Sequence, residues 1–462
     1  MIRTRHHQPS LWTGILGEEV DDLWEPWMRT ADRLLDDDAL VERVFEAQAR
    51  RFLKSRTRGR RQTPAEVVLR LLILKHVRDW SYEVLEREVR ANLVYRTFAR
   101  IGAEKVPDAK TLGRLGQVVG SEVIAELHRR MVELAVENKI VSGKRMRVDT
   151  TVVETNIHYP TDSSLLGDGT RVLTRVMKKM EEAAGGLIGT VRDRMRTVRK
   201  KVLAIAIAAR QKGAAGEEKR RHIYKGLLSV TRKVVNQAKR VMREVDAMGR
   251  GKKQQFAGLR TQLGTMVERV EQVIRQTRAR VLGGNTKFED KLVSVFEPQT
   301  EIIRKGKASK PTEFGKLVKI QEAENQIVTH FEVYEERPTD SALLVEAVEA
   351  HQQQLGSIPH LVAADAGFYS QANEKRLKEM GVKNVSVPNR NTRSEERRLH
   401  QKKRSFKRGQ RWRTGCEGRI SILKRRHGMT RCLYRGLDGM KRWVGLGVIA
   451  DNLINMGLRL AK

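Results

Sequence analysis

The sequence predicts a mixed α/β layer architecture accompanied by long all-α segments. Three observations predict it. Residues 146–153 and 317–333 carry β-rich apolar stretches, whereas residues 64–140 and 171–284 carry apolar side chains at steps of three and four, the spacing of one helical face. After residue 340, short apolar strands alternate with helix-like stretches, and strands interleaved with helices fold as layers.

In chain order, Val67, Val68, Leu71, Leu72, Leu74 and Val77 form the first apolar stripe. Ser81, directly after Trp80, is placed to cap a helix carrying Val84, Leu85 and Val89, and Pro107-Asp108-Ala109-Lys110-Thr111 opens another. Residues 1–140 are therefore expected to form a helical N-terminal domain whose tight turns suit a helix-turn-helix contact with DNA or dimerisation. The strand Met146–Val153 follows. Further on, Leu259, Leu263, Met266, Val270 and Val273 share one helical face, as do Val191, Met195, Val198 and Val202. Glycines at 185–186, 213–216, 249–251 and 283–284 divide that block into about four helices.

Beyond residue 284 the period changes to that of strands. Leu317–Ile320 and Gln326–Val333 read as a hairpin turning at Glu324-Asn325. A helix from Asp340, a strand Leu361–Ala364 ending at Asp365, a helix from Gln371 and a strand Val385–Val387 come next, then a basic stretch and helices near 415–426 and 446–460. The expected organisation is an α/β domain of residues 141–170 and 285–462, with residues 171–284 as an all-α basic insertion between its first and second strands.

Charge narrows the function. Lys and Arg number 91 against 56 Asp and Glu, leaving a net charge of +35 on 462 residues. A field of that size favours a polyanion, most commonly nucleic acid. The excess is concentrated: residues 171–280 hold 29 basic and 9 acidic side chains, and residues 390–430 hold 15 and 3. Two basic blocks beside near-neutral segments are the pattern of a nucleic-acid footprint. No apolar run is long enough for a membrane span, and the N-terminus has acids where a signal peptide needs an apolar core, so a soluble cytoplasmic, nucleoid-associated protein is expected. Cys416 and Cys432 are the only cysteines, which excludes a disulfide scaffold and a Cys-rich zinc site.

Three acids stand out by position. Asp149 lies among Val148, Val152 and Val153, and Asp365 closes an apolar strand before Gly367; side chains at strand ends converge on one sheet edge, so the two are candidates for a shared divalent-metal site. Alone, either suits a capping role. Glu417 stands on a helical stretch among Arg411, Arg413, Arg419, Lys424, Arg425 and Arg426. It is either a salt-bridge partner or a metal-ligating carboxylate flanked by phosphate-binding cations, the environment phosphoryl transfer requires.

The run Arg147–Ser163 resembles the first-aspartate segment of bacterial insertion-sequence DDE transposases. Phe296–Thr300 with Pro311–Gly315, then Ala364–Ser370, then the Glu417 helix agree in order, and residues 60–140 resemble that family's helical N-terminal domain. The resemblance implies an RNase H-like mixed sheet with flanking helices, in which Asp149, Asp365 and Glu417 hold two Mg²⁺ ions, with Mn²⁺ substituting. Arg413 and Lys424 match the family's Arg-x3-Glu-x6-Lys signature, while Gln410 stands where a tyrosine is usual. Arg413, Lys424, Arg419, Arg425 and Arg426 would contact DNA. The implied function is a homodimeric transposase that binds terminal inverted repeats of double-stranded DNA, cleaves at the element ends and joins 3′-hydroxyls to target DNA. The competing readings are an RNase H-like structure-specific nuclease and a non-catalytic basic DNA-binding protein. Tyr434, near His427 and Arg431, is a weaker echo of a tyrosine recombinase.

Overall fold

Six α-helices precede the first strand among the described residues, which in this computed structural model are 1–6, 14–15, 18–51, 53–304 and 311–461. They are α1 (Pro26–Leu34), α2 (Asp38–Arg51), α3 (Ala65–Val77), α4 (Tyr82–Ala91), α5 (Leu93–Phe98) and α6 (Ala109–Glu137). The caps expected from the sequence are present. Ser81 Oγ accepts from the Val84 amide at 3.2 Å and Asp108 Oδ1 from the Thr111 amide at 2.9 Å, each satisfying a donor the helix itself leaves open. Helix α3 is buried on every side, so its one arginine must be neutralised in place: Arg70 meets Asp32 at 2.6 Å and Asp36 at 2.7 Å.

Strand β1 (Arg145–Thr155) leads into four helices, α7 (Asp162–Ala184), α8 (Met195–Ala208), α9 (Ala214–Asp246) and α10 (Arg250–Thr277). Residues 157–314 form one compact unit, and residues 1–156 with 315–462 form the other. The helical insertion is thus wider than residues 171–284, because its first helix starts at the Thr161 capping box, not at 171. Its core is apolar, built on residues such as Leu166, Met177, Leu227, Val234, Leu263 and Val270. Val191, read from the sequence as part of a helical face, precedes α8 but is still buried.

The remaining strands are β2 (Glu301–Arg304), β3 (Thr312–Glu322), β4 (Val328–Val333), β5 (Leu361–Ala363), β6 (Asn384–Ser386) and β7 (Arg431–Cys432), with helices α11 (Leu343–Leu355), α12 (Gln371–Glu379), α13 (Glu395–Lys402), α14 (Arg404–Arg426) and α15 (Gly436–Leu460). The sheet runs β2–β3–β1–β5–β6, with β4 also on β3 and β7 on β1. Strands β1, β3 and β4 pair antiparallel, whereas β5 runs parallel to β1 and β6 parallel to β5. The fold is therefore mixed α/β, as expected. The hairpin turns where the sequence placed it, with Asn325 and Gln326 at positive φ and the Glu324 carboxylate accepting from the Arg145 amide at 2.8 Å. The helices of residues 1–140 and α15 share one apolar core that also takes in Ala323 and Ile327.

Five features were not visible in the pattern. Strands β2 and β7 are too short to show a period, and the basic stretch contains helix α13. Helix α15 begins at Gly436, ahead of 446, and α14 begins at Arg404, not near 415. The buried positions of α14 are Phe406, Gly409, Cys416, Arg419 and Leu423, so glycine and arginine occupy places where a helical stripe would show apolar residues. The glycines have a packing reason. A Cβ on Gly409 would lie 2.6 Å from the Ser386 side chain on β6, and one on Gly415 would lie 2.2 Å from the Arg147 guanidinium on β1. Helix α14 consequently lies closer to the sheet than alanine would permit.

Two outcomes follow from this packing. Gly409→Ala should cost about 1–3 kcal/mol in urea denaturation through overpacking, whereas Gly418→Ala, with open space around it, should gain up to about 1 kcal/mol from helix propensity. His128 is buried and its Nε2–H donates to the Val328 carbonyl at 2.9 Å; burial lowers its pKa from 6.5 to about 4. A depressed folded-state pKa gives stability that is present above pH 6.5 and lost toward pH 4, on the order of 3 kcal/mol. Denaturation curves of His128→Gln should be flatter over that window than those of the parent.

Candidate active site

The site is built on the middle of β1 and the end of β5, where the parallel register pairs Arg147 with Ala363. Two residues beyond that pair on each chain stand Asp149 and Asp365, so both acids reach the same level of the sheet edge. Helix α14 crosses this edge. Gln410, in the place where the family resemblance expects tyrosine, donates from Nε2 to the Ala364 carbonyl at 3.3 Å and to the backbone and side chain of Ser386. That amide therefore ties α14 to the ends of β5 and β6 beside Asp365.

One turn on, Arg413 links two of the acids. Its guanidinium lies 3.7 Å from Asp149 and 2.8 Å from Glu417. The Asp149 carboxylate also accepts from the Thr150 amide at 2.7 Å. Asp365 accepts from the Gly367 amide, the capping contact of a short 3-10 turn. Glu417 is exposed and Arg413 half-buried. Among the described residues, no three His, Cys, Asp or Glu side chains come together as ligands of one ion. The structure thus joins Asp149 and Glu417 through an arginine and sets Asp365 on the neighbouring strand end.

Sequence reasoning missed a fourth carboxylate. Asp340, read as the start of a helix, accepts from the Thr150 hydroxyl at 3.1 Å, and a Cβ on Gly367 would meet both the Asp340 and the Asp365 carboxylates at 3.1 Å. Nothing local marks it, because its proximity to Asp365 is made by the fold.

The cations divide sharply. Arg425 and Arg426 are exposed and Lys424 is half-buried, as phosphate contacts require. Arg419 is not available to DNA: it is 3% exposed and bonds Asp451 at 2.8 and 2.9 Å, with Gln326 and Glu322 also beside it. The reason is helical geometry, since residues two apart point about 200° from one another, so a helix that presents Glu417 at its outer face turns Arg419 inward. The spacing of Cys416, Arg419 and Leu423 carried that signal. Behind the site, Arg147 bonds Glu322 at 2.9 Å, donates to the Trp412 carbonyl and lies 4.8 Å from the Trp412 ring. Burial pushes the Glu322 carboxyl up, and Arg147 and Arg419 act against that shift.

Other nucleophiles are sequestered. Cys416 and Cys432 are buried free thiols, and burial raises Cys416 well above its ordinary value. The Tyr434 hydroxyl bonds Tyr82 at 2.8 Å inside an aromatic cluster, and burial raises it as well, which removes the tyrosine-recombinase reading.

Comparison with known families bears on these positions directly. The model described as Transposase domain (DUF772) matches residues 25–117, which span α1 to the start of α6, and the model described as Transposase DDE domain matches residues 373–457, which contain Arg413, Glu417 and Lys424. The two matches support an insertion-sequence DDE transposase. That family suggests DNA as the partner. Asp149, Asp365 and the insertion lie outside both matched segments. No curated protein and no solved structure matches the chain. No helix among the described residues is long and apolar enough to cross a membrane.

Removing the Arg419 side chain should leave Asp451 without its arginine in the core. Arg419→Ala is expected to lose about 3–5 kcal/mol in urea denaturation, whereas Arg425→Ala should leave stability within about 0.5 kcal/mol and weaken DNA binding with a shallower salt dependence.

Proposed function

We propose that this transposase cleaves phosphodiester bonds at the ends of its element and joins the 3′-hydroxyls to target DNA, using Asp149, Asp365 and Glu417 as the catalytic acids. The observation that carries the reading is the single Arg413 guanidinium shared between Asp149 and Glu417 beside the Asp365 strand end. Antiparallel β4–β3–β1 continued by parallel β5 and β6 supports an RNase H-like arrangement of the catalytic sheet.

The donor type, three carboxylates, suits a hard divalent cation, and Mg²⁺ with Mn²⁺ as substitute is the ion proposed. When bound, the ion supplies Lewis-acid stabilisation of the phosphoryl oxygens and activation of the attacking oxygen. The chain's own residues do the rest. Arg413, held by α14, holds the outer carboxylate and the strand carboxylate in register with one another. Lys424, Arg425 and Arg426 extend the same helix in cations that would grip the flanking DNA backbone, fixing its register without reading its sequence. A homodimer with one copy on each element end, bound at terminal inverted repeats, completes the proposal.

The test is strand cleavage of duplex DNA bearing the element end, with Mg²⁺. Asp149→Asn, Asp365→Asn and Glu417→Gln should each reduce cleavage by at least about 100-fold while retaining end binding. Parent-like cleavage by any one would remove that residue from the triad. Cleavage without any joined product would assign the chain to nuclease activity instead.

A further inference from the structure

The insertion unit contains a cavity of about 670 Å³ that the carboxylate site does not use. Its position is within residues 157–314, framed by the segment before α7, the start of α9 and the strand β2. We infer that this cavity binds a nucleotide of single-stranded DNA, with its base against Tyr159 and its phosphate on the arginines of α9.

The walls supply both halves of such a ligand. Tyr159 is 76% exposed, an unusual placement for a large aromatic side chain, and its ring stands edge-on to Phe314 with centroids 5.6 Å apart. A propped, solvent-facing ring offers its face for stacking, which is the sequence-tolerant way proteins hold unpaired bases. Around it Arg220, Arg221, Lys291 and Arg304 line the cavity, and these four have no carboxylate partner among the described residues. The one buried acid there, Asp162, is already matched by Arg280 at 3.1 Å. The remaining lining acid is Glu217, so the unmatched charge is positive and suits phosphate.

Shape decides between strand and duplex. The volume falls in the range of small-ligand sites, roughly 300–1,000 Å³, and a base inside a duplex cannot present its face to a side chain without leaving the stack. A duplex would meet only the rim. The inference is independent of the carboxylate reading, because binding here needs neither metal nor cleavage.

The experiment measures binding of the full-length protein, without divalent metal and at raised salt, to a short labelled single strand and to a duplex of the same length. Tyr159→Ala should weaken single-strand binding by about tenfold and leave duplex binding unchanged, Tyr159→Phe should restore it, and Arg221→Ala should weaken it as well. Thymidine monophosphate should displace the strand at concentrations where inorganic phosphate does not. Parent-like single-strand affinity in Tyr159→Ala, equal losses for strand and duplex, or equal competition by inorganic phosphate would each overturn the proposal. Because no step of this assay involves cleavage, its failure leaves the carboxylate triad untouched, and failure of the triad leaves this cavity untouched.

Discussion

Everything near the sheet edge depends on a buried alternation of charge: Arg147, Glu322, Arg419 and Asp451. Charges withdrawn from water are costly unless each is met by its opposite in good geometry, so such a chain tolerates one arrangement and little else. Arg147 fixes β1 to β3 through Glu322 and reaches α14 at Trp412; Arg419 fixes α14 to α15 through Asp451. Asp149 follows Arg147 by two residues on the same strand face, and Glu417 precedes Arg419 by two on the opposite helix face. The interior pairs thereby set where the outward acids stand. Specificity of placement, more than net stability, is what this polar core contributes.

Helix α14 thus has two functions separated by rotation. Its inner face is made of glycines, a thiol and a paired arginine, which bring the helix close to the sheet. Its outer face keeps Arg411, Glu417 and Arg425 in solvent, and Arg426 is exposed where the helix ends. The same residue type is structural on one side and available to phosphate on the other, so the basic block of residues 390–430 cannot be counted as one surface.

Much of the fold could be read from local chemistry. The caps at Ser81 and Asp108, the hairpin at Glu324-Asn325, the four insertion helices, the strand that carries Asp149 and the strand end before Asp365 are short-range features that the sequence states directly. What escaped was set at long range. The nearness of Asp340 to Asp365 arises from chain crossings that no window contains. The early start of α14 escaped because close packing put glycine and arginine where apolar residues usually mark a buried face. The inward turn of Arg419 was legible from its spacing to Cys416 and Leu423, but its charge drew attention away from the period.

The point where the insertion leaves and rejoins the sheet has a consequence for how this protein can change. Glu154 on β1 pairs directly with Gly315 on β3, so residues 157–314 occupy the position of a hairpin turn. Topologically the unit is a loop enlarged to a domain. The entropy of closing a loop rises only with the logarithm of its length, so neither the size nor the content of that unit strongly taxes the pairing beneath it. Gly315, whose missing side chain lets the β1 backbone approach, marks the junction at which one four-helix module could be exchanged for another, or for a two-residue turn, while the strand register on either side stayed the same.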